Sequence, residues 1–363
     1  MWRTIMTAGG ILSAVIALYL VTRIHRFSFI RALDRRFRGL GWLISLLCVG
    51  LMGLFALINV STLLVVALHV FLAFVICDTA AWIVRRASKK TFGRDVQSAA
   101  ALLLAALYLG VGWFMAHHVF ITQYHFESDK ALGEELRVVE IADSHLGITL
   151  DGEGFARQME RVNALSPDVV FIVGDFVDDD SDRADMIRAC AALGKLQTKY
   201  GVYFVYGNHD DGYFHYRNFS SRELREELSK NGVTILEDES VLVDGRFYVT
   251  GRRDRSMPGR KAAQALTEGL NKTKYIILLD HQPNDYANEA LSGADLVLSG
   301  HTHGGHIFPA GQIGLMMGAN DSRYGVQRRN GTTFVVTSGI SGWAIPFKTG
   351  TFSEIVVIDI KGK

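Results

Sequence analysis

The sequence predicts two unlike parts. Residues 1–122 read as an all-α bundle of about four transmembrane helices, and residues 136–363 as an α/β domain, with a linker at 123–135. Three observations predict this. The first third holds long apolar stretches that carry no charged stripe. The remainder alternates short β-branched runs with amphipathic ones. Five short polar motifs each follow one of those runs.

A helix needs about 20 apolar residues to cross a bilayer. Residues 5–21, 40–60, 63–84 and 99–121 meet that need. The second and third are separated only by Asn59-Val60-Ser61-Thr62, which predicts a helical hairpin. Arg3 alone precedes the first stretch, whereas Arg23, Arg26, Arg31, Arg35, Arg36 and Arg38 follow it. A cleaved signal has the reverse order, so the first helix is expected to be retained with its N-terminus outside. The loop with Arg85, Arg86, Lys89, Lys90 and Arg94 is also basic. The positive-inside rule assigns both basic loops to the cytoplasm. An even number of crossings then puts the second part on the periplasmic or extracellular side of a bacterial inner (plasma) membrane, in a multi-pass protein.

Phe27, Ile30, Leu33 and Phe37 recur at helical spacing among arginines, as in a short helix lying on anionic lipid. A solvated basic loop is the alternative. His69 and Asp78 are ionisable groups inside the third stretch and hence functional candidates, although His69 could be neutral and bonded between helices. His117 and His118 read as interfacial residues at the outer end of the fourth stretch. The formal net charge of +1 points to no polyanionic partner, and no nucleic acid is expected. Cys48, Cys77 and Cys190 make no disulfide framework.

From residue 136 the apolar runs 136–142, 169–173 and 202–206 read as buried strands, with helical periodicity at 154–165 and 185–200. That βαβαβ order predicts a largely parallel sheet flanked by helices. Later strands are expected at 233–236, 241–243, 247–250, 275–279, 296–299, 333–337 and 355–360, and a further helix at 224–230. Residues 252–261 form a basic loop.

The motifs are Asp143-Ser144-His145, Gly174-Asp175-Phe176-Val177-Asp178, Gly207-Asn208-His209-Asp210, the lone His281, and Gly300-His301-Thr302-His303. Functional groups gather at the carboxyl ends of such strands. Carboxylate and imidazole together suit manganese, iron or zinc, whereas magnesium and calcium prefer oxygen alone. Met singly, each of these histidines would more often be a satisfied polar residue. A structural reading does not explain why every ligand type occurs in order.

In that order the motifs resemble the calcineurin-like metallophosphoesterases, over residues 136 to 363. Gly304-Gly305, Tyr324-Gly325, the stretch 339–342 and Pro346-Phe347 resemble the membrane-tethered bacterial branch. The resemblance implies a β-sandwich flanked by helices (α/β/β/α) and two divalent metal ions. It implies Asp143, His145 and His303 at the first ion, Asp175 bridging, and Asn208, His281 and His301 at the second. His209 would steady or protonate the leaving oxygen, with Asp178 orienting its imidazole and keeping it cationic. Asp210 would sit behind the ligands. His306 stands where many relatives have Gln, and it is expected to touch substrate phosphate or the ligands' surroundings.

These expectations describe hydrolysis of a phosphate ester or pyrophosphate by a dinuclear-metal hydroxide mechanism. A lipid-linked substrate at the outer membrane face fits the anchored topology, with membrane lipids as partners. Two alternatives stand: a phosphodiesterase, nucleotidase or protein phosphatase for soluble substrates, and a non-catalytic membrane sensor or scaffold. The oligomeric state is not written in these motifs.

Overall fold

The computed structural model describes residues 2–213 and 216–363, with residues 2–9 as backbone only. The chain divides into two compact units, one up to Gly112 and one from Trp113 onward.

The first unit holds α1 (Trp2–Ile24), α2 (Ser28–Arg36), α3 (Leu40–Leu51), α4 (Val60–Ser88) and most of α5 (Arg94–His117). A 3-10 turn, Met52–Leu57, continues α3. Among the described residues three stretches, Leu40–Leu57, Val60–Ser88 and Arg94–His117, are long and apolar enough to cross a membrane. A fourth arises if α1 and α2, bent by 84°, count as one span. The Asn59 turn caps α4, its side chain accepting from the Thr62 N–H at 2.7 Å. Residues 28–36 form the expected short helix: Ile30 is buried while Phe29 and Phe37 are exposed. Gly41 lets α3 pass close to it, because a Cβ there would lie 2.8 Å from the Ile30 carbonyl oxygen.

The two intramembrane candidates have structural partners. Asp78 accepts from Tyr19 at 3.3 Å and pairs with Arg23 and Arg26 at 3.0 Å each. His69 donates through Nδ1 to the Val65 carbonyl of its own helix at 2.7 Å, rather than to another helix.

The second unit runs β1 (Val119–Glu127), β2 (Leu136–Ile141), α6 (Gly152–Ala164), β3 (Val169–Val173), α7 (Arg183–Leu193), β4 (Val202–Val205), α8 (Ser221–Lys230), β5 (Thr234–Ile235), β6 (Glu239–Val243) and β7 (Phe247–Gly251). It continues with α9 (Ala263–Thr267), β8 (Tyr275–Leu279), α10 (Tyr286–Glu289), β9 (Leu296–Ser299), α11 (Ala310–Met316), β10 (Gly325–Arg329), β11 (Thr332–Val336) and β12 (Ser353–Lys361). The strands make two six-stranded sheets, ordered β1-β12-β2-β3-β4-β5 and β10-β11-β9-β8-β7-β6. Residues of both sheets, among them Val138, Phe171, Val205, Phe247, Ile277 and Leu298, share one buried cluster, which is the core of a sandwich. A second cluster lies under α6, α7 and α8, and a third under α9 and α10. The layers are therefore α/β/β/α.

The sandwich that the resemblance implied is present, and three finer expectations need correction. The largely parallel central sheet is two mixed sheets: β2 to β5 are parallel, but β12 is antiparallel to β2. Strands buried on both faces read alike whichever sheet they join, so β3 and β8 could not be assigned from pattern. The fourth helix ends at His117 rather than 121, and the stretch expected as linker begins as β1, which pairs in parallel with β12 from Val119↔Ser353 to Glu127↔Lys361. Alternation in Val119–Glu127 was hidden behind the apolar helix that precedes it. Helix α7 stops at Leu193, although the apolar pattern continues because Leu196 packs on the same core from a loop.

Candidate metal centre

Each motif leaves the carboxyl end of a strand: Asp143 and His145 after β2, Asp175 after β3, Asn208 after β4, His281 after β8, and His301 and His303 after β9. The first three strands belong to one sheet and the last two to the other, so the centre lies where the sandwich ends meet.

Six non-glycine residues in three of these turns have a positive φ: Asp143 (55°), His145 (35°), Asp175 (52°), His301 (68°), His303 (47°) and His306 (39°). Such strain persists only where the surroundings over-determine it, and it collects at functional sites. Asp210 supplies much of that determination. Its buried carboxylate accepts from the backbone N–H groups of Asp175, Phe176, Val177 and Gly207 at 2.7–3.1 Å. Gly207 must be glycine, since a Cβ would sit 2.2 Å from Asp175 Oδ1.

Among the described residues two groups of ligand-type atoms result, each within 4.8 Å: Asp143, His145 and His303, and Asp175, His281 and His301. Asp175 Oδ2 lies 3.1 Å from His281 Nε2 and 3.6 Å from His145 Nε2, facing both groups. Asn208 enters beside it, because its neighbour His209 donates its N–H to Asp175 Oδ1 at 2.8 Å. The Asn208 amide nitrogen donates to the Tyr213 hydroxyl at 2.9 Å, while its carbonyl oxygen meets only Gln282, at 3.4 Å.

The histidine tautomers are set from behind. His145 Nδ1 donates to Asp178 at 3.0 Å, His281 Nδ1 to the Val173 carbonyl at 2.8 Å, and His303 Nδ1 to the Ser341 carbonyl at 3.3 Å. In each ring Nε2 then faces the centre and is the atom that ligates a metal once it carries no proton. Asp143 Oδ2 and His281 Nε2 are buried without hydrogen-bond partners. Buried acceptors facing acceptors are costly unless a cation joins them, so the residues present fit two divalent ions. Burial pushes His301 down to about 4 and His303 well below the ordinary range, leaving both as neutral donors at pH 7. Burial raises Asp143 to about 6, whereas Asp175, despite burial, is held low by His281 and His145.

One expected pairing is not found. Asp178 orients His145 rather than His209, because its Oδ2 is engaged by the His145 ring. His209 stands instead among the rings of His145, Tyr213 and Trp343, at centroid distances of 5.1, 4.9 and 5.4 Å. Burial lowers its pKa, so it is neutral rather than cationic. His306 lies 5.3 Å from the His303 ring with its Nε2 buried and unpartnered. Just beyond Asp178, Asp182 caps α7 and Asp179 accepts from the Tyr213 N–H.

Sequence reasoning missed several supporting groups. Ser341 serves His303, and Lys348 holds the same loop by donating from a buried amine to the carbonyls of Ser338, Gly339 and Phe352. Burial pushes this amine down to about 7. Arg252, from the basic loop, pairs with Asp280 at 3.0 Å and Asp285 at 2.8 Å, fastening the loop beside His281. A lone lysine or arginine in a glycine-containing loop gave no signal for these roles.

Residues 136–305 match the family described as Calcineurin-like phosphoesterase. The chain is 33% identical over 239 residues to an uncharacterised metallophosphoesterase of Campylobacter jejuni, covering 64% of this chain and 61% of that protein. It is 30% identical over 251 residues to one of Aquifex aeolicus, covering 67% and 92%. It is 32% identical over 250 residues to a transmembrane protein with metallophosphoesterase domain of Danio rerio, covering 62% and 53%. The chain thus spans about three-fifths of the first relative and about half of the last.

Proposed function

Since the chain belongs to the calcineurin-like phosphoesterase family of phosphoric ester hydrolases, we propose that it is a membrane-anchored enzyme cleaving phosphate ester or pyrophosphate bonds of a lipid-linked substrate at the outer membrane face. The reaction class rests on one observation above all: Asp175 Oδ2 faces His145 and His281 together, between two ligand groups. In this reading Asp143, His145 and His303 hold one ion, Asn208, His281 and His301 the other, and Asp175 both. Manganese, iron or zinc suits that mixture of imidazole and carboxylate. Such a pair, when bound, supplies positive charge at the phosphoryl oxygens and acidifies water.

The protein's own part is positioning. Asp178, Val173 and Ser341 lock three imidazoles in the tautomer that ligation needs. Neutral His209, beside Trp343, donates its ring N–H to the leaving oxygen. His306 extends the imidazole row beyond His303 toward the substrate phosphate.

The chain's anchorage supports the substrate class. Helix α5 ends at His117 and β1 starts at Val119, so little chain separates the apolar helix from the hydrolase sheet. Membrane lipids are then the surroundings of the site. The basic stretches after α1 and α4 support an inner-membrane, multi-pass topology with the hydrolase unit on the periplasmic or extracellular side, provided α1 crosses.

A panel of lipid phosphates, lipid pyrophosphates and soluble nucleotide diesters, assayed with manganese, tests the substrate. Comparable turnover of the soluble diesters would replace the lipid reading with that of a phosphodiesterase or nucleotidase. Binding without any turnover would make the protein a sensor. Asp175→Asn should abolish turnover, and retained activity with normal metal content would refute the assignment. A Lys130→Cys variant should react with an impermeant maleimide in intact cells; labelling at Lys89→Cys instead would invert the topology.

A further inference from the structure

Helix α11 differs from the other helices of the hydrolase unit. Helices α6, α7 and α8 each bury an apolar face, whereas none of α11's residues is buried. Its side chains are nevertheless apolar. Ile313 is 50% exposed, Met316 88% and Met317 79%, with Phe308 just ahead at 54%. No charged residue occurs from Ile307 to Asn320. A contiguous apolar surface of this kind marks an interaction site.

Its supports identify the partner. The root of the α11 loop is bonded to residues 349–350: the N–H groups of Thr349 and Gly350 donate to the His306 carbonyl at 2.9 Å, and the Phe308 N–H to Thr349 Oγ1 at 3.1 Å. The same segment carries the end of α5. Phe347 packs edge-on to Trp113 at 5.7 Å, Phe352 to Phe120 at 5.2 Å, and Ser353 donates to the Ala116 carbonyl at 2.8 Å. There Trp113 and Phe114 are exposed on the last turn of an apolar helix, the place where aromatic side chains meet a lipid head-group layer. Residues 347–353 thus hold α11 and the exit of α5 on one short support.

We propose that α11, with Phe308, beds into the lipid surface from which α5 emerges. The helix would lie at the boundary of head groups and acyl chains, as uncovered apolar helices do on membranes. The loop bearing His301 and His303 then opens at head-group level, because α11 begins seven residues after His303. The docking rests on the chain's membrane anchorage; its consequence for catalysis rests on the lipid-linked reading above.

The test uses the full chain, with Cys48→Ser and Cys77→Ser, in vesicles of phosphatidylethanolamine and phosphatidylglycerol. Met316→Cys carries an environment-sensitive fluorophore, and Arg222→Cys on exposed α8 serves as reference. The label at 316 is expected to shift to the blue and to be quenched by lipids brominated in their acyl chains, while that at 222 is quenched by aqueous iodide. Iodide quenching at 316 equal to that at 222 would overturn the proposal. So would shielding from both quenchers, which would mean that a second copy or another protein covers the helix. Met316→Asp with Met317→Asp should remove the bromolipid-sensitive insertion and lower hydrolysis of a vesicle-borne phosphate ester, leaving a small soluble ester unaffected. If insertion is seen and only soluble esters are cleaved, the docking stands and the lipid-substrate reading fails.

Discussion

His145 Nε2 and His303 Nε2 stand 3.1 Å apart in a fully buried contact, with each ring's other nitrogen already committed to an acceptor, Asp178 for one and the Ser341 carbonyl for the other. With neither Nε2 protonated, two lone pairs at that distance repel unless a metal ion joins them. The folded chain should therefore depend on divalent metal. At a free metal concentration 100 times Kd, binding stabilises by about 2.7 kcal/mol. Thermal unfolding in detergent should shift upward with added manganese and downward with a chelator. An unchanged midpoint would contradict the reading of this contact.

Asp178→Asn tests the pairing that replaced the expected one. Loss of a carboxylate behind a ligating histidine weakens metal affinity by about 10–100-fold. Isothermal titration should show one site weakened in that range. An effect on turnover with both affinities intact would instead return Asp178 to His209.

Among the described residues the His209 ring makes no hydrogen bond to a carboxylate, and the backbone N–H that holds Asp175 Oδ1 survives truncation of the side chain, so the metals should stay in place. His209→Ala is expected to lower kcat by about 10²–10³-fold, the usual cost of removing one hydrogen-bond donor from developing negative charge. Metal content measured on the same sample checks that the loss is chemical.

At Gly207 even one methyl group would collide with Asp175 Oδ1. Gly207→Ala should displace that carboxylate, loosen both metal ions and abolish turnover. The change should remain when Asp210 still holds its four N–H groups, which amide exchange can follow.

Cys190 offers a pH prediction. Burial pushes its thiol up to about 12 from an ordinary value of 9.0. The folded state keeps the proton where the unfolded chain loses it, so this group's contribution is complete below pH 9 and falls as pH rises from there toward 12. Native protein at pH 8 should resist maleimide at Cys190, and denaturant should expose it. Rapid native labelling would show that α7 opens.

What the residues disclosed depended on how locally each feature is encoded. The metal-binding side chains follow strands within two or three positions, so order and spacing revealed the clusters around Asp143 and Asp175. The apolar spans were equally plain. Partnerships formed across the fold were not: whether Asp178 meets His145 or His209 depends on turn geometry at His145, whose φ of 35° no spacing encodes. Lys348 and Ser341 serve the centre from a loop near the chain's end. Strand β1 hid because its neighbour in the sheet is the last strand of all.

That neighbour relation carries a consequence for biogenesis. In the first sheet β12 lies between β1 and β2, and Thr122 and Glu354 meet across 232 residues of sequence. Until the ribosome has delivered β12, β1 has no mate and β2 presents a bare margin. The hydrolase unit thus seals late, by a long-range closure that is intrinsically slow. Nascent chains would wait with an adhesive border, a natural point of action for chaperones and proteases.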